Sequence, residues 1–252
     1  MNDATPTVLI QGASRGIGLA LVEALLASSP AMPIVATCRR PAAATALTEL
    51  TSQHGARLSV LSLDVTDEGS IMRAAQILLA QGRRLSLLVN CAGFLHEEGI
   101  VPERRLAEVE AEHLQRAFAV NAIGPLLVAK HCAPLFEREA RSVLANLSAR
   151  VGSIGDNQLG GWYAYRASKA ALNMLTRNLS IELRRRYRGL ICVALHPGTV
   201  DTGLSAPFNA RIPATRLFSP ARAARQLLAV IARLDDADSG KFLAWDGSHI
   251  SW

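Results

Sequence analysis

Short apolar runs rich in β-branched residues alternate with longer amphipathic stretches along the whole chain. TVLIQ at 7–11, PIVATC at 33–38, RLSVLSLDV at 57–65, LSLLVN at 85–90, SVLANLS at 142–148, LICVALHP at 190–197 and GKFLAWD at 240–246 read as seven strands. Helical patterns fall between most of them, at 18–28, 41–53, 67–80, 104–138, 162–187 and 219–234, with a break near Gly124-Pro125 in the longest. The strands are apolar on both faces, as parallel strands are when helices cover both sides of their sheet. The pattern predicts an α/β fold with a doubly wound parallel sheet of about seven strands and helices on both faces. No repeat, low-complexity tract or Pro/Gly linker divides the 252 residues, so one domain over 1–252 is expected. The longest irregular piece, 198–218, is rich in Pro, Ala and Arg and reads as a lid or substrate loop.

Composition narrows this picture. Half the residues are hydrophobic and 19% are charged, which suits a packed core and not a disordered chain. No apolar run approaches the roughly 18 residues of a membrane helix, so membrane insertion is not expected. The start, MNDATPTVLIQG, lacks a basic leader and runs directly into a strand; the expected location is cytoplasmic. The net charge of +6 could serve nucleic acid or an anionic cofactor. Its densest run, RRRYR at 184–188, closes a helical stretch, where cations suit the carbonyl end, and no nucleic-acid motif accompanies it. Cys38, Cys91, Cys132 and Cys192 are far apart and read as small buried hydrophobes. HEEG at His96 lacks the second histidine of a zinc motif, and no metal site is expected.

The chemistry begins between the first strand and the first helix. LIQGASRGIGLAL sets Gly12, Gly16 and Gly18 where a tight turn, close approach of backbone to a pyrophosphate, and close helix–sheet packing are each needed. This makes the fold Rossmann-type, yet the spacing is GxxxGxG and not GxGxxG. In that spacing the loop resembles the short-chain dehydrogenase/reductase family, with Gln11 in place of the usual Thr. Five further motifs carry the resemblance in order: DVTD at 64–67, NCAG at 90–93, NAIG at 121–124, YRASK at 165–169 and HPGTVDT at 196–202. NLSARVGSIGDNQLGGWYAYRASKAALN and the ending AWDGSHISW are most similar to the C-factor and Sniffer-type carbonyl reductase branch.

The resemblance implies a catalytic set of Ser148, Tyr165, Lys169 and Asn121. Tyr165 would be the general acid for carbonyl reduction, with Lys169 one helical turn away favouring the phenolate and binding the nicotinamide ribose. Asn121 would hold a water. Tyr163, two residues earlier, should face elsewhere. Where the family carries a second Ser after the fifth strand, this chain has Ala149, so Ser148, Ser153, or Tyr165 without a serine remain open as partners of the substrate oxygen. The cofactor residues implied are Gly12, Ser14, Arg15, Gly16, Ile17, Gly18, Arg39, Asp64, Val65, Asn90, Ala92, Gly93, Tyr165, Lys169, Pro197, Gly198, Val200 and Thr202. ATCRRP offers no acid for a free ribose hydroxyl, while Arg15 and Arg39 offer guanidinium groups for a 2′-phosphate, so NADP(H) is expected over NAD(H). Leu204, Phe208, Ile212 and Leu217 fit either an apolar substrate or packing against the sheet. The expectation is an NADP(H)-dependent oxidoreductase for a small carbonyl or secondary alcohol, forming a homo-oligomer, dimer or tetramer. The alternatives are a catalytically weak nucleotide-binding signalling protein on the same fold and, on net charge alone, an RNA-binding protein.

Overall fold

The computed structural model describes residues 6–28 and 32–252. In chain order it runs β1 (Pro6–Gln11), α1 (Gly16–Ser28), β2 (Ile34–Cys38), α2 (Thr45–His54), β3 (Leu58–Ser62), α3 (Glu68–Ala80) and β4 (Arg84–Asn90). It continues with α4 (Ala111–Phe118), α5 (Gly124–Cys132), β5 (Ser142–Leu147), α6 (Tyr163–Leu183), β6 (Leu190–His196), β7 (Thr199–Val200), β8 (Leu217–Phe218), α7 (Pro220–Arg233) and β9 (Phe242–Ala244). Seven strands form one parallel sheet in the order β3-β2-β1-β4-β5-β6-β9.

Residue parity explains why the strands read as continuous apolar runs. Val8 and Ile10 enter one core with α1, α2 and α7, while Leu9 between them enters a second core with α3, α4, α5 and α6. In β5, Val143, Ala145 and Leu147 face the first core and Leu144 the second. Each strand therefore needs apolar residues at every position. The order reverses between β1 and β4, and the glycine loop after β1 lies at that switch point, where such sheets open a crevice.

Three expected boundaries move. The helix expected from 104 begins at Ala111, because Glu108 takes the Arg104 N–H and pairs with Arg105, closing a local turn instead. The third strand stops at Ser62, and Asp64 accepts from the N–H and hydroxyl of Thr66 in an Asx turn. Pro125 does not break its helix. A π turn over Ala119–Ile123 joins α4 to α5, with the Gly124 N–H reaching Ala119 O. Pro125 has no N–H to give and its ring would crowd the Asn121 carbonyl in an α-helix, and the wider turn relieves both. The continuous helix, Ala111–Leu135, is long and apolar enough to cross a membrane by length and composition, contrary to the reading by runs. Here Ala117, Val120, Val128, Ala129 and Cys132 spend that apolar character in the second core.

The segment 198–218 is not irregular throughout. β7 and β8 pair in parallel, and two 3₁₀ turns lie between them.

Candidate active site

The site is built at the carboxyl ends of the central strands. Gly12 has φ +81°, and a Cβ there would stand 2.7 Å from Ala92 N; the loops after β1 and β4 meet without room for a side chain. A Cβ on Gly18 would reach Gly12 O, so α1 packs onto its own loop only through glycine. Gly16 has φ +59°, and a Cβ there would lie 3.3 Å from Thr202 Cγ2, so the loop after β6 closes over the glycine loop. Gly198 has φ +81° and lies against the Phe218 ring, which is edge-on to Trp245 and covered by the Arg222 guanidinium at 3.7 Å. Ile17 and Val200 pack beside Phe218. Ser14 is half-buried, and Arg15 and Arg39 are exposed.

Polar side chains tie these strand ends together. Gln11 Oε1 accepts the Ala92 N–H at 3.1 Å, so the residue that departs from the family's Thr anchors the next loop itself. Asn90 Nδ2 donates to Asn146 Oδ1, and Asn146 Nδ2 donates to Thr176 Oγ1 on α6. Asn121 Oδ1 accepts the Phe94 N–H at 2.7 Å, and its Nδ2 donates to Phe94 O and Ser168 Oγ. Asn121 thus links the loop after β4, where Gly93 lies exposed, to α6. Val65 is buried, and a Cβ on Gly124 would stand 2.7 Å from its Cβ. Burial works against ionisation of Asp64, but Thr66 hydrogen bonds and the charges of Arg39 and Arg116 outweigh it and lower its pKa.

Tyr165 and Lys169 are both buried on the first turns of α6, whereas Tyr163 is exposed. Lys169 Nζ lies 5.9 Å from the Tyr165 ring centroid and donates to Leu147 O at 2.7 Å. A Cβ on Gly152 would collide with Lys169 Cβ, so the turn after β5 seats against the lysine. Burial lowers the Lys169 pKa to about 8. Burial also raises Tyr165 above the ordinary phenol range, so desolvation and not the neighbouring ammonium decides its state and keeps it protonated. Cys91 is close enough to Lys169 to feel its charge, but burial dominates and raises its thiol pKa.

The serines are placed differently from one another. Ser148 is buried and donates to Asn173 Oδ1 at 2.6 Å, one turn beyond Lys169. Ser153 is buried and accepts the Asp156 N–H. Ala149, between them, is half-buried. His196, before Pro197, accepts the Arg150 N–H at Nδ1; burial first, then Arg150, lowers its pKa to about 4, so it is neutral with its proton on Nε2.

The mouth of the site was not legible as a unit. Trp162, the cap residue of α6, has φ +51° and ψ +44°, and Gly160 and Gly161 before it are also left-handed. For a bulky residue this conformation costs about 1–3 kcal/mol. The indole meets the Tyr165 ring edge-on, 6.2 Å between centroids, and the Phe208 ring of the 198–218 segment at a tilt, 4.9 Å between centroids. His96 Nε2 lies 3.1 Å from Gly203 O and Leu204 O, tying down the same segment. The Gly160-Gly161 pair was the local signal for this turn. Among the described residues no group of three His, Cys, Asp or Glu could hold a metal.

Comparison with known proteins agrees with this geometry. The short chain dehydrogenase family model matches residues 6–213. The chain is 38% identical to the C-signal of Myxococcus xanthus over 147 residues, 58% of this chain and 83% of that protein. NADPH-bound carbonyl reductase from chicken fatty liver superposes with a TM-score of 0.87 at 34% identity, covering 99% of both chains. Carbonyl reductase Sniffer of D. melanogaster gives 0.85 at 28% identity over 99% of this chain and 100% of that one. A glycine cradle at the sheet's switch point and a buried Tyr-Lys helix beside it thus accompany a sequence match over most of the chain, and the protein belongs to the short-chain dehydrogenase/reductase family of oxidoreductases, in the branch of C-signal and Sniffer.

Proposed function

We propose that the protein is an NADP(H)-dependent carbonyl reductase in which Tyr165 is the proton donor. The observation that carries this is the pair itself: a phenol held neutral by burial, one helical turn from a buried ammonium, at the sheet edge that carries the glycine cradle. A neutral phenol suits donation to a developing alkoxide, the proton transfer that carbonyl reduction needs.

The cradle fits a dinucleotide. Gly12 and Gly18 leave no space for side chains, and Gly16 brings backbone to the start of α1, where the helix dipole and free N–H groups favour a pyrophosphate. Exposed Arg15 and Arg39 supply two guanidinium groups for a 2′-phosphate, and the NADPH carried by the chicken enzyme supports that choice. Ser14 and Ile17 belong to the same loop, Asp64 and Val65 would border the adenine, and Asn90, Ala92 and Gly93 would line the ribose side. Pro197, Gly198, Val200 and Thr202 would face the nicotinamide. When bound, the reduced nicotinamide supplies the hydride. Lys169 would hold the ribose and sets the charge behind Tyr165, and Asn121 fixes the loop after β4 against α6. Ser148 donates to Asn173 and Ala149 fills the usual serine position, so the substrate oxygen falls to Tyr165, with Ser153 as the serine whose hydroxyl is left to assist it.

The substrate is a small carbonyl compound in a cytoplasmic setting, on this reading, reached under the Trp162–Phe208 contact. Exposed Ile123, Met174 and Ile181 supply apolar surface for a homo-oligomer. The test is NADPH oxidation, followed by absorbance, against a panel of aldehydes, ketones and quinones. Wild type should turn over, and Tyr165→Phe should lose about 10²–10⁴-fold in kcat with NADPH affinity kept. A Tyr165→Phe variant with near-normal kcat would overturn the assignment.

A further inference from the structure

Glu103 is a carboxylate with no place in the motifs above, yet it is 3% exposed. Acids are almost never buried so fully without a partner. Among the described residues it makes no ion pair. Its partners lie at the start of α6 and its cap, 61 and 59 residues away in sequence. Glu103 Oε2 accepts the Ala164 N–H at 3.3 Å, and the Glu103 backbone carbonyl accepts the Trp162 N–H. Both N–H groups belong to the start of the helix, where no intrahelical acceptor exists and a negative charge is favoured. The turn before the helix is strapped from a second side: Arg166 Nε reaches Gly160 O and Gly161 O, and its Nη1 reaches Val151 O. A Cβ on Gly161 would stand 3.3 Å from the Glu103 backbone carbonyl oxygen, so the turn before α6 passes directly over the Glu103–Arg104 backbone. Glu103, His113 and Tyr165 also line one small cavity with Phe94, Leu95 and Ala164.

The contacts form a continuous chain. Glu103 holds Trp162 and Ala164, Tyr165 follows in the next position, and the Trp162 indole meets Phe208 of the segment over the site. We propose that Glu103 is a positioning residue for the carbonyl chemistry: its buried carboxylate and its own carbonyl clamp the first turn of α6 and so hold Tyr165 and Trp162 in place under the 198–218 segment. Glu103 touches neither the reacting carbonyl nor the cofactor in this role; it acts through the helix start. The catalytic half of the proposal rests on the carbonyl reductase reading, whereas the clamp itself does not.

Three variants test it. Glu103→Met removes both oxygens at nearly constant volume, so no cavity opens. Glu103→Gln keeps one acceptor oxygen and drops the charge, and Glu103→Asp withdraws the carboxylate by one methylene. With a carbonyl substrate, Glu103→Met should lower kcat about 10–100-fold, as expected for a small misplacement of the reacting group, while the NADPH Kd stays within about twofold. Glu103→Gln should recover kcat to within about fivefold of wild type. Amide exchange over 160–168 in the cofactor-free protein should accelerate about tenfold or more in Glu103→Met, and the second half of α6 should stay protected. Unchanged exchange over 160–168 overturns the clamp. A Glu103→Met variant that loses NADPH affinity together with kcat, or keeps normal kcat, overturns the positioning role. Should Glu103→Met not fold, Glu103→Asp is read in the same two assays against the same criteria as the Met variant. A wild-type protein that reduces no carbonyl defeats the reductase reading, and the exchange arm still decides the clamp.

Discussion

The two ends of the cleft are built by different means. On the glycine-loop side, Gly12 and Gly18 let backbone approach backbone where no side chain would fit, and Gln11 ties the loop after β4 to the strand end. On the α6 side, the helix start is held by Glu103 and Arg166, and the mouth is closed by Trp162, Phe208 and His96. The first end is shaped by a short local loop in which glycines leave room for close backbone approach. The second depends on side chains that meet only in the folded molecule, and it can change without disturbing the first.

That contrast can be broken at three points. The largest effect is expected on the cofactor side. Replacing Arg15 and Arg39 by Ala should erase most of the preference for NADPH over NADH, a change of at least about tenfold in relative affinity, since each charge-assisted contact contributes roughly 1.5–3 kcal/mol. Titration with both cofactors at one salt concentration measures it, and a preference that survives would remove both arginines from the phosphate site. kcat with saturating cofactor should stay close to wild type, because the α6 side is untouched.

The next effect belongs to the α6 side. Burial lowers Lys169 to about 8, so the ammonium is present below that pH and is lost as pH rises through it. Reduction should therefore be level from about pH 6 to 7.5 and fall by up to tenfold per unit above about 8 if the charge behind Tyr165 matters. The sign for stability is opposite. An unfolded lysine stays protonated to about 10.5, so between about 8 and 10.5 the unfolded chain binds the extra proton and Lys169 makes the fold more stable as pH rises. A rate profile flat to pH 10 would show that the ammonium takes no part.

The smallest effect concerns Ser148. Its hydroxyl donates to Asn173, so Ser148→Ala should cost about 1 kcal/mol in a thermal or urea melt and change kcat/KM by less than about threefold. A loss of tenfold or more in kcat/KM would return Ser148 to the substrate oxygen.

The sequence carried the fold because its signals are local. Seven apolar runs became seven parallel strands, and the helical stretches between them became helices with ends moved by a few residues. The glycine loop and the Tyr165-Lys169 spacing were equally legible, since a loop and one helical turn are complete within a dozen residues. Glu103 was passed over because its meaning lies in N–H groups about 60 positions later, at Trp162 and Ala164, and nothing near VPERR announces a buried acid. Asn146, Asn173 and Thr176 escaped for the same reason, although Asn173 falls at the next four-residue step after Tyr165 and Lys169 and shares their buried face. The break expected at Pro125 became a π turn because a proline's missing N–H can be absorbed by a wider turn as well as by a helix end.

Trp162 is the one non-glycine residue with positive φ among those described, and this constrains how the protein can diversify. At that position glycine, and to a lesser degree Asn or Asp, relaxes the backbone but removes the ring, and most other side chains retain the strain without the indole contact to Phe208. Selection for a new substrate therefore has little room at 162. Phe208 stands in a 3₁₀ turn with ordinary backbone angles open to it, and its ring is the other half of the same contact. A change at 162 therefore disturbs backbone and ring contact together, whereas a change at 208 alters the ring contact alone.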